Sequence, residues 1–491
     1  MKMGSAKHEQ APLFDMLVRH AKKELTPFHV PGHKQRAVID EYEGATADFG
    51  FLINMDITEL SDSDDLHDPS GAIALAQDLA AACFGAEETR FLVGGSTAGN
   101  LAMILGICDP GDIVLVQRNV HKSIIHGLAL AGARCVFLTP ELDDRSGIAI
   151  APRVETVVRA VEIYGEAKAI ILCSPNYYGM TANLVPLVKA AHAKQIPVLI
   201  DEAHGAHFGL HPAFPGSGLQ AGADVVVQST HKMLSSLTMS AMLHMQGDLV
   251  YRPAIRQALG MVQSSSPSYP LMASLDLARR EIQVQGSDLF EPALAVSRTV
   301  REALAGLSFE ALNADDPLKL SIKDKHDRLT GFELQAKLEE NGCVAEMADA
   351  NYAVLALGPG TRKEDGDVLL RALNEIAGEL VTRSSSSSLS QKVPTIQSSS
   401  DFTYGQISEP VTIRRRTPHT SSVSLEAAAG RICGEWIIPY PPGIPLLYPG
   451  EPISTDAIEE LKRLAAAGAR FQGASDESLA TIRVLTEGDN V

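Results

Sequence analysis

Two polar residues that follow apolar runs are the side chains in this sequence best placed for chemistry. Lys232 ends a short polar segment after the apolar run at 225–227, and Asp201 directly follows the apolar run at 198–200. Continuous apolar runs of this length are typical of strands buried on both faces, so each polar residue comes near a strand end. A lysine at such a place can form a Schiff base, and a nearby carboxylate can keep a pyridine nitrogen protonated. The pair predicts a pyridoxal phosphate (PLP) enzyme in which Lys232 binds the cofactor covalently.

The turn at 94–100, Gly-Gly-Ser-Thr-Ala-Gly-Asn, lies between a predicted strand and a predicted helix. Backbone N–H groups at a helix N-terminus attract anions, and Gly95 lets the backbone approach one closely. Ser96 and Thr97 can add hydroxyl hydrogen bonds, so the turn suits a single phosphate group such as that of PLP. The sequence is neither G-x-G-x-x-G nor a P-loop, and an ordinary turn with a serine as helix N-cap is the alternative.

Each candidate also has a simpler explanation when it is taken singly. Asp201 could cap the segment that follows it, and Lys232 could be an ordinary surface lysine. His121 could stack on a cofactor ring or be a polar residue at a helix start, and His231 could bind a carboxylate or carry a proton. The combination of turn, aspartate and lysine favours the cofactor site.

Three further polar groups are weaker candidates. His204, His207 and His211 lie close together, but no H-E-x-x-H pattern is present, and we expect no metal site. The acidic loop at 56–69 lacks the glycine and terminal glutamate of a calcium loop, and fits better as a polar loop near a cationic substrate. The loop at 26–34 is either a solvated surface loop or an arm that reaches a ligand.

Short apolar runs alternate with helical segments through the first half of the chain. The predicted strands are 91–93, 113–116, 135–138, 169–172, 198–200, 225–227 and 241–243. The predicted helices are 71–83, 96–106, 121–131, 153–164 and 184–194. This alternation predicts an α/β domain with a mainly parallel sheet, in which ligands bind at the carboxyl ends of the strands.

Changes in composition predict five segments. They are an N-terminal helix and active-site arm at 1–45, a large PLP-binding domain at 46–290, a small α/β domain at 291–383, a serine-rich linker at 384–408 and a C-terminal domain at 409–491. Further helices are predicted at 12–25, 365–380, 424–430 and 454–467. Four prolines within 436–445 predict an extended, stiff path there.

Composition excludes several classes of protein. The chain of 491 residues is 45% hydrophobic and 21% charged, as in a globular protein, and its formal net charge of −18 argues against nucleic-acid binding. The six cysteines form no C-x-x-C pair, which indicates buried thiols in a reducing compartment. No apolar run is long enough to cross a membrane, and the N-terminus has no signal-peptide core. We expect a cytoplasmic protein, or one in an organelle such as the plastid if a transit peptide has been removed.

Seven groups of residues together resemble the Orn/Lys/Arg decarboxylases, the bacterial-type basic amino-acid decarboxylases of PLP fold type I. The matching groups occur in the family's order at 28–34, 56–71 with 84–86, 94–100, 121–123, 201–207, 229–232, and 439–445 with 449–451. The resemblance extends from near the N-terminus to about residue 455. It implies an α/β, aspartate aminotransferase-like large domain with a mainly parallel sheet, a small α/β domain and a C-terminal domain.

The resemblance also implies roles for the candidate residues. Lys232 would form the Schiff base with PLP, Asp201 would pair with the ring nitrogen, and His121 would stack on the ring. Together with His231, these are the implied catalytic residues. The remaining implied cofactor contacts are Gly95, Ser96, Thr97, Ser229, His231, Ala203 and His204.

The implied substrate is ornithine, lysine or arginine, which the sequence does not rank. Glu451 is the implied partner of the distal cation of the substrate, and His33 and Asp65 are further candidates. The resemblance implies a homodimer or larger homo-oligomer with active sites at the subunit interface. The chain has no room before Phe28 for the N-terminal wing of the large family members, so we do not expect the assembly built through that wing. Gly95 stands where many relatives have Thr, and the serine-rich stretch resembles an insertion.

Two other functions remain open at this point. One is a different fold-type I reaction, such as aminotransfer or aldolase-type cleavage. An aminotransferase would need an arginine for the substrate carboxylate. No such arginine can be assigned from the sequence, although Arg252, Arg256 and Arg362 could be argued. The other is a catalytically silent paralogue that binds or regulates. The presence of both Lys232 and Asp201 argues against it.

Overall fold

The structure is a computed structural model that describes residues 8–23, 25–36, 45–386, 405–416, 419–440, 443–466 and 468–486. The described residues form two compact units. The first unit lies within Met1–Ile107 and Pro197–Leu289, and the second lies within Cys108–Ile196 and Phe290–Val491. No helix in the described part of the chain is long and apolar enough to span a membrane.

Helices and strands alternate along most of the described chain. The α-helices are α1 Pro12–Ala21, α2 Ala45–Met55, α3 Ala72–Phe84, α4 Gly95–Leu105, α5 Lys122–Ala131, α6 Val154–Ile163, α7 Leu184–His192, α8 Thr230–Met233, α9 Arg252–Val262, α10 Tyr269–Gln285, α11 Glu291–Leu304, α12 Gly331–Glu340, α13 Lys363–Ser386 and α14 Thr455–Ala466. The strands are β1 Glu88–Leu92, β2 Ile113–Gln117, β3 Arg134–Leu138, β4 Ala169–Cys173, β5 Val198–Asp201, β6 Val225–Gln228, β7 Ala241–Met245, β8 Phe309–Ala311, β9 Lys319–Asp324, β10 Met347–Ala348, β11 Ala353–Ala356, β12 Val411–Thr412, β13 Thr420–Ser424, β14 Ile438–Tyr440, β15 Arg470–Gln472 and β16 Thr481–Leu485.

The strands of the first unit lie in the order β1-β7-β6-β5. β5 and β6 are parallel, whereas β7 is antiparallel to both β6 and β1. Every residue of β5, β6 and β7 is buried, which explains their continuous apolar sequences. Because β5 and β6 are parallel, they end at the same edge of the sheet, and the chain segments at Asp201 and Ser229 begin there.

The described residues of the second unit form four sheets or parts of sheets. In one, β4-β2-β3-β12, the pairs β2–β3 and β2–β4 are parallel and β12 is antiparallel to β3. A separate antiparallel sheet has the order β10-β11-β9-β8. The pairs β13–β16 and β14–β15 belong to the C-terminal region, which has a hydrophobic core of its own around Leu425, Ile437 and Leu461.

The structure confirms the predicted strands and helices of the first half of the chain to within a few residues. Gly85 ends α3 in the left-handed conformation, with φ of +77°, as its position after an alanine-rich helix indicates. α1 is shorter than predicted and ends at Ala21.

The predicted helix at 424–430 is wrong. Its place is taken by the end of β13 and a single 3₁₀ turn at Glu426–Ala428. The alanines of this segment have high helix propensity, but Val423 pairs with Ile482 across β13 and β16, and Gly430 adopts a φ of +75° that ends any helix.

Other predictions for the C-terminal half have mixed outcomes. The helices at 365–380 and 454–467 are confirmed as α13 and α14. Of the serine-rich stretch, residues 384–386 belong to α13, and residues 387–404 lie outside the described part of the chain, as do Pro441 and Pro442. The five segment boundaries remain predictions.

Candidate active site

Lys232 lies in a single helical turn that begins directly after β6. Ser229 is the N-cap of this turn, and the Lys232 N–H donates to the Ser229 carbonyl oxygen at 3.1 Å. The side-chain Nζ of Lys232 is 3.1 Å from Nε2 of His204. Lys232 is half-buried and His204 is buried. The structure therefore brings the predicted Schiff-base lysine into hydrogen-bond distance of an imidazole that can accept its proton.

Asp201 is the last residue of β5, and its side chain is fixed from two sides. Oδ2 accepts a hydrogen bond from Nδ2 of Asn100 at 2.8 Å, and Oδ1 accepts one from the Ala203 N–H at 3.1 Å. Burial raises the pKa of Asp201, and the positive charge of Lys232 opposes that rise. A buried carboxylate of this kind favours a cation beside it, which is what a protonated pyridine nitrogen supplies.

Asn100 reaches Asp201 because α4 packs unusually close to the sheet. A Cβ atom at Gly99 would lie 2.7 Å from Cδ1 of Leu92 and 2.8 Å from Cγ1 of Val227, which is closer than carbon atoms pack. Only glycine fits at this approach. The small residues of the turn at 94–100 therefore position Asn100 as well as the helix N-terminus.

Among the residues predicted to hold a phosphate, Ser229 has a hydroxyl group that is suited to binding one. The hydroxyl of Ser229 is fully buried and has no hydrogen-bond partner among the described residues. A buried hydroxyl without a partner is costly, so a ligand oxygen at this place would restore its hydrogen bond. The residues present therefore fit a phosphorylated cofactor.

The turn itself differs from the ordinary alternative considered above. The N-cap of α4 is Gly94 without a side-chain cap, so no serine caps this helix. The Gly95 N–H donates to the Met239 carbonyl oxygen at 2.8 Å, and Gly95 has a φ of +68°. Ser96 is half-buried and Thr97 is exposed. The N–H of Gly95 therefore already donates to a backbone carbonyl oxygen, and the hydroxyls of Ser96 and Thr97 remain the predicted phosphate contacts of this turn.

His231 is oriented by the backbone of the neighbouring loop. Its Nδ1 lies 2.8 Å from the Ser240 carbonyl oxygen. Because a carbonyl only accepts, Nδ1 must carry the proton in this bond, and Nε2 is the nitrogen that can exchange one.

The predicted substrate-binding residues His33 and Asp65 form hydrogen bonds to other residues of the first unit, which limit the orientation of their side chains. Nε2 of His33 is 3.1 Å from Oδ2 of Asp56, and Oδ1 of Asp65 accepts from the His67 N–H at 2.7 Å. Asp64 caps α3 instead, because its Oδ2 accepts from the N–H groups of Gly71 and Ile73, both at 2.8 Å. Burial acts to raise the pKa of Asp64, but hydrogen bonds from backbone N–H groups, including those of Ser70 and Gly71, hold it below its usual value.

His121 lies in the second unit as the N-cap of α5. Its side chain accepts a hydrogen bond from the Ser123 N–H at 3.2 Å and lies 2.9 Å from Oγ of Ser123. The alternative considered for His121, a polar residue at a helix start, is thus what the described structure shows. Stacking of His121 on the cofactor remains a prediction.

Glu451, also in the second unit, forms an ion pair with Arg118. Nη2 of Arg118 lies 2.9 Å and 3.0 Å from the two carboxylate oxygens. The guanidinium also donates to the carbonyl oxygens of Pro445 and Leu446, both at 2.9 Å, and lies 5.2 Å from the ring centroid of Tyr448. Burial raises the pKa of Glu451, and Arg118 opposes that rise. The charge of Glu451 is therefore already matched within the unit, and its predicted contact with substrate remains a prediction.

The three clustered histidines have different surroundings. His204 faces Lys232, whereas the ring of His207 packs 4.6 Å from the ring of Phe214, and Nδ1 of His211 accepts from the Ala213 N–H. No group of three or more His, Cys, Asp or Glu side chains suited to a metal ion occurs among the described residues.

The α/β fold, with Lys232 and Asp201 at the ends of adjacent parallel strands, defines a fold-type I PLP enzyme. Family models match the chain twice, as Orn/Lys/Arg decarboxylase major domain over residues 11–314 and as the C-terminal domain of the same family over residues 411–480. The chain belongs to the Orn/Lys/Arg decarboxylase family and is a PLP-dependent carboxy-lyase.

The chain is also similar to individual proteins. An uncharacterized protein of Bacillus subtilis, YaaO, is 40% identical over 477 residues, which cover 94% of this chain and 96% of the relative. The arginine decarboxylase of Bacillus subtilis is 35% identical over 503 residues, which cover 98% of this chain and 99% of the relative. The structure of lysine decarboxylase A from Pseudomonas aeruginosa, 20% identical, shares the fold with a TM-score of 0.79 over 98% of this chain and 81% of that chain.

Sequence reasoning missed four residues that the structure brings to these sites. They are Asn100, Glu202 and Gln228 in the first unit and Arg118 in the second. Asn100 was visible only as the last residue of the predicted turn. Glu202 carried a signal, because a second carboxylate directly after Asp201 at the end of a buried strand is unusual for a charged side chain.

Proposed function

We propose that this chain removes the α-carboxylate of ornithine, lysine or arginine as CO₂ and releases putrescine, cadaverine or agmatine for polyamine biosynthesis. The observation that carries the proposal is the pair of contacts Lys232–His204 and Asp201–Asn100 at adjacent strand ends. Arginine is the first substrate to test, because the relatives named arginine decarboxylase, from three Bacillus species and Halalkalibacterium halodurans, are 34–35% identical over 90% or more of the chain.

PLP, when bound, supplies the electron sink that accepts the charge left on Cα when CO₂ leaves. Asp201 supports that chemistry as a buried anion for the ring nitrogen. Asn100 and the Ala203 N–H keep both of its oxygens in place, so that the carboxylate need not reorient during the reaction.

Proton transfer falls to the groups around Lys232. A lysine amine must lose its proton before it can bind a carbonyl carbon, and Nε2 of His204 lies within reach at 3.1 Å. After CO₂ leaves, Cα needs a proton. The Lys232 amine and the imidazole of His231 are the proposed donors. Because Nδ1 of His231 bonds to the Ser240 carbonyl oxygen, Nε2 is the nitrogen that we propose for this exchange.

The remaining assignments concern binding. Ser96, Thr97 and Ser229 would hold the phosphate, and His121 would stack on the cofactor ring. Glu451 would bind the distal cation of the substrate, with His33 and Asp65 as further candidates. We also propose that the protein is a homodimer or larger homo-oligomer, as its family resemblance implies, and size-exclusion chromatography with light scattering would detect a monomer that contradicts this.

CO₂ release from each of the three amino acids, measured with added PLP, tests the proposed function. We expect release from at least one of them and its loss in Lys232→Ala. Lys189→Ala is the matched control, because Lys189 is an exposed lysine on α7 and should retain full activity. Retained turnover in Lys232→Ala, or a wild-type protein without a visible absorption band after addition of PLP, would overturn the proposal.

A further inference from the structure

The side chain of Glu202 lies at one end of a buried chain of hydrogen bonds. Its Oε1 accepts from the Gly218 N–H at 2.7 Å, and its Oε2 accepts from Nε2 of Gln228 at 2.7 Å. Oε1 of Gln228 lies 3.1 Å from Nε2 of His244, and Nδ1 of His244 lies 2.8 Å from Oγ1 of Thr89. The chain thus connects the end of β5 with β6, β7 and β1 inside the first unit.

These side chains are all out of contact with solvent. Glu202 and Gln228 are each 1% exposed, His244 is 0% exposed and Thr89 is 2% exposed. No lysine or arginine side chain hydrogen-bonds to Glu202 within the described part of the chain. A buried carboxylate without a cationic partner is strongly unfavourable as an anion, so the protonated acid is the favoured form.

This chain of hydrogen bonds can accommodate the proton on Glu202 without loss of any hydrogen bond. An amide presents a donor at one end and an acceptor at the other, and an imidazole can carry its proton on either nitrogen. If Gln228 turns its oxygen toward Glu202, the acid O–H donates to it and the amide N–H donates to Nε2 of His244. Nδ1–H of His244 then donates to the hydroxyl of Thr89. The Gly218 N–H continues to donate to the other oxygen of Glu202.

The Glu202 side chain and the Asp201 side chain belong to one rigid turn. The Glu202 N–H donates to the Val227 carbonyl oxygen at 2.9 Å, which ties this turn to β6. The Ala203 N–H donates to Asp201 itself. With the Glu202 side chain also fixed at both oxygens, the backbone that directly follows Asp201 is held in place at Glu202 and Ala203.

We propose that Glu202 is a positioning residue, which acts as a neutral hydrogen-bonded acid and holds Asp201 in line with the ring nitrogen of PLP. This rests on the proposed pairing of Asp201 with that nitrogen. A neutral Glu202 leaves Asp201 as the one anion of the turn, so that the negative charge is concentrated at the atom that needs it. In agreement, burial raises the pKa of Glu202 to about 8, and the neighbouring charge of Asp201 adds to the rise.

The test uses PLP labelled with ¹⁵N in the ring, because the ¹⁵N chemical shift reports whether the ring nitrogen is protonated. The holoenzyme variants are Glu202→Gln, which keeps the hydrogen bonds without a charge, and Glu202→Leu, which removes them. Asp201→Asn gives the reference for a ring nitrogen without its anion. PLP affinity is measured in parallel from the visible absorbance.

We expect Glu202→Gln to keep the ring nitrogen protonated as in the wild type. Glu202→Leu should shift it toward the Asp201→Asn value and weaken PLP binding by about tenfold, as for the loss of a buried hydrogen bond. A Glu202→Gln variant that behaves like Asp201→Asn would show that the charge of Glu202 is needed, and a Glu202→Leu variant that behaves like the wild type would show that Glu202 positions nothing. Either result overturns the proposal.

A second variant covers the case in which Glu202→Leu does not fold. Gln228→Leu interrupts the chain one residue further on, while Glu202 keeps its bond to Gly218, and it should give the same shift to a smaller extent. A wild-type ring nitrogen that is unprotonated, or a wild type without CO₂ release, would instead contradict the proposed function, so the two failures are distinguishable.

Discussion

The side-chain amide of Asn100 donates a hydrogen bond of 2.8 Å to the carboxylate of Asp201. Both residues are buried, with Asn100 on α4 and Asp201 at the end of β5. The helix that offers its N-terminus to the predicted phosphate therefore also fixes the anion predicted to face the ring nitrogen. The close packing of α4 against Leu92 and Val227 at Gly99 therefore positions both the N-terminus of this helix and the amide that holds Asp201.

Asn100→Ala should weaken PLP binding. Loss of the amide leaves one oxygen of a buried carboxylate without its donor, which raises the pKa of Asp201 further and favours its neutral form. A lost hydrogen bond to a charged buried group costs about 1.5–3 kcal/mol, so the dissociation constant of PLP should rise by about 10- to 100-fold. Titration of the apoenzyme with PLP, followed by visible absorbance, measures it.

The control for this variant is Asn374→Ala. Asn374 lies on the exposed side of α13, where its amide donates to the Leu370 carbonyl oxygen of the same helix. Its removal should leave PLP affinity unchanged. Equal affinities for the wild type and Asn100→Ala would contradict the role given to this hydrogen bond.

Ser229→Ala should weaken binding of PLP and leave binding of pyridoxal, which has no phosphate, unchanged. The Ser229 hydroxyl is buried and has no partner among the described residues, so a phosphate oxygen of PLP would supply its hydrogen bond. We expect the ratio of the two dissociation constants to change by about tenfold. If affinity for both compounds falls equally, Ser229 acts on the cofactor by some route other than its phosphate.

The sequence predicts the elements of this fold well because burial dictates their composition. β5 and β6 are short and wholly buried, so they appear as uninterrupted apolar runs, and the polar residues after them are conspicuous. Lys232 and Asp201 could therefore be found from position alone. The prediction of a helix at 424–430 is wrong because it rests on local helix propensity. The structure of this segment is instead decided by the pairing of β13 with β16, in which Ser424 pairs with Thr481, 57 residues further along the sequence.

The contacts that complete the site were beyond prediction from the sequence. Asn100 and Asp201 are 101 residues apart in the chain, and the reach between them depends on how closely α4 packs at Gly99. Arg118 and Glu451 are 333 residues apart. Residue types alone do not show that Glu451, predicted to bind substrate, has an arginine as its partner, because that pairing depends on how the chain folds between them.

Glu451→Gln tests the predicted contact with the distal cation of the substrate. A carboxylate has about four lone-pair directions, and Arg118 uses one at each oxygen, so capacity for an ammonium or guanidinium remains. We expect affinity for the amine product to fall by about tenfold or more, with little change in affinity for PLP. Isothermal titration of the holoenzyme with agmatine, cadaverine and putrescine measures the change.

Thermal unfolding of the same variant separates the two roles of Glu451. If Glu451 serves only Arg118, product affinity is unchanged while the melting temperature falls, because the half-buried guanidinium of Arg118 is left without its anion. Glu379→Gln is a suitable control for loss of a surface ion pair, since Glu379 is exposed and pairs with Lys337. Unchanged product affinity would remove Glu451 from the substrate site.

Glu202→Gln should make the stability of the protein less dependent on pH between about 5 and 8. Burial raises the pKa of Glu202 from 4.5 to about 8, so between these values the folded wild type holds a proton that the unfolded chain has lost. Unfolding then releases a proton, and the wild type loses stability as the pH rises through this window, up to a limit of about 5 kcal/mol. The side chain of glutamine does not titrate in this range, so the stability of the variant lacks this pH-dependent contribution. Urea unfolding of both holoenzymes at pH 5 and pH 8 measures the free energy of unfolding, and the variant should become more stable relative to the wild type at the higher pH. If the difference in this free energy is the same at both pH values, Glu202 has a pKa near its ordinary value, which contradicts the prediction.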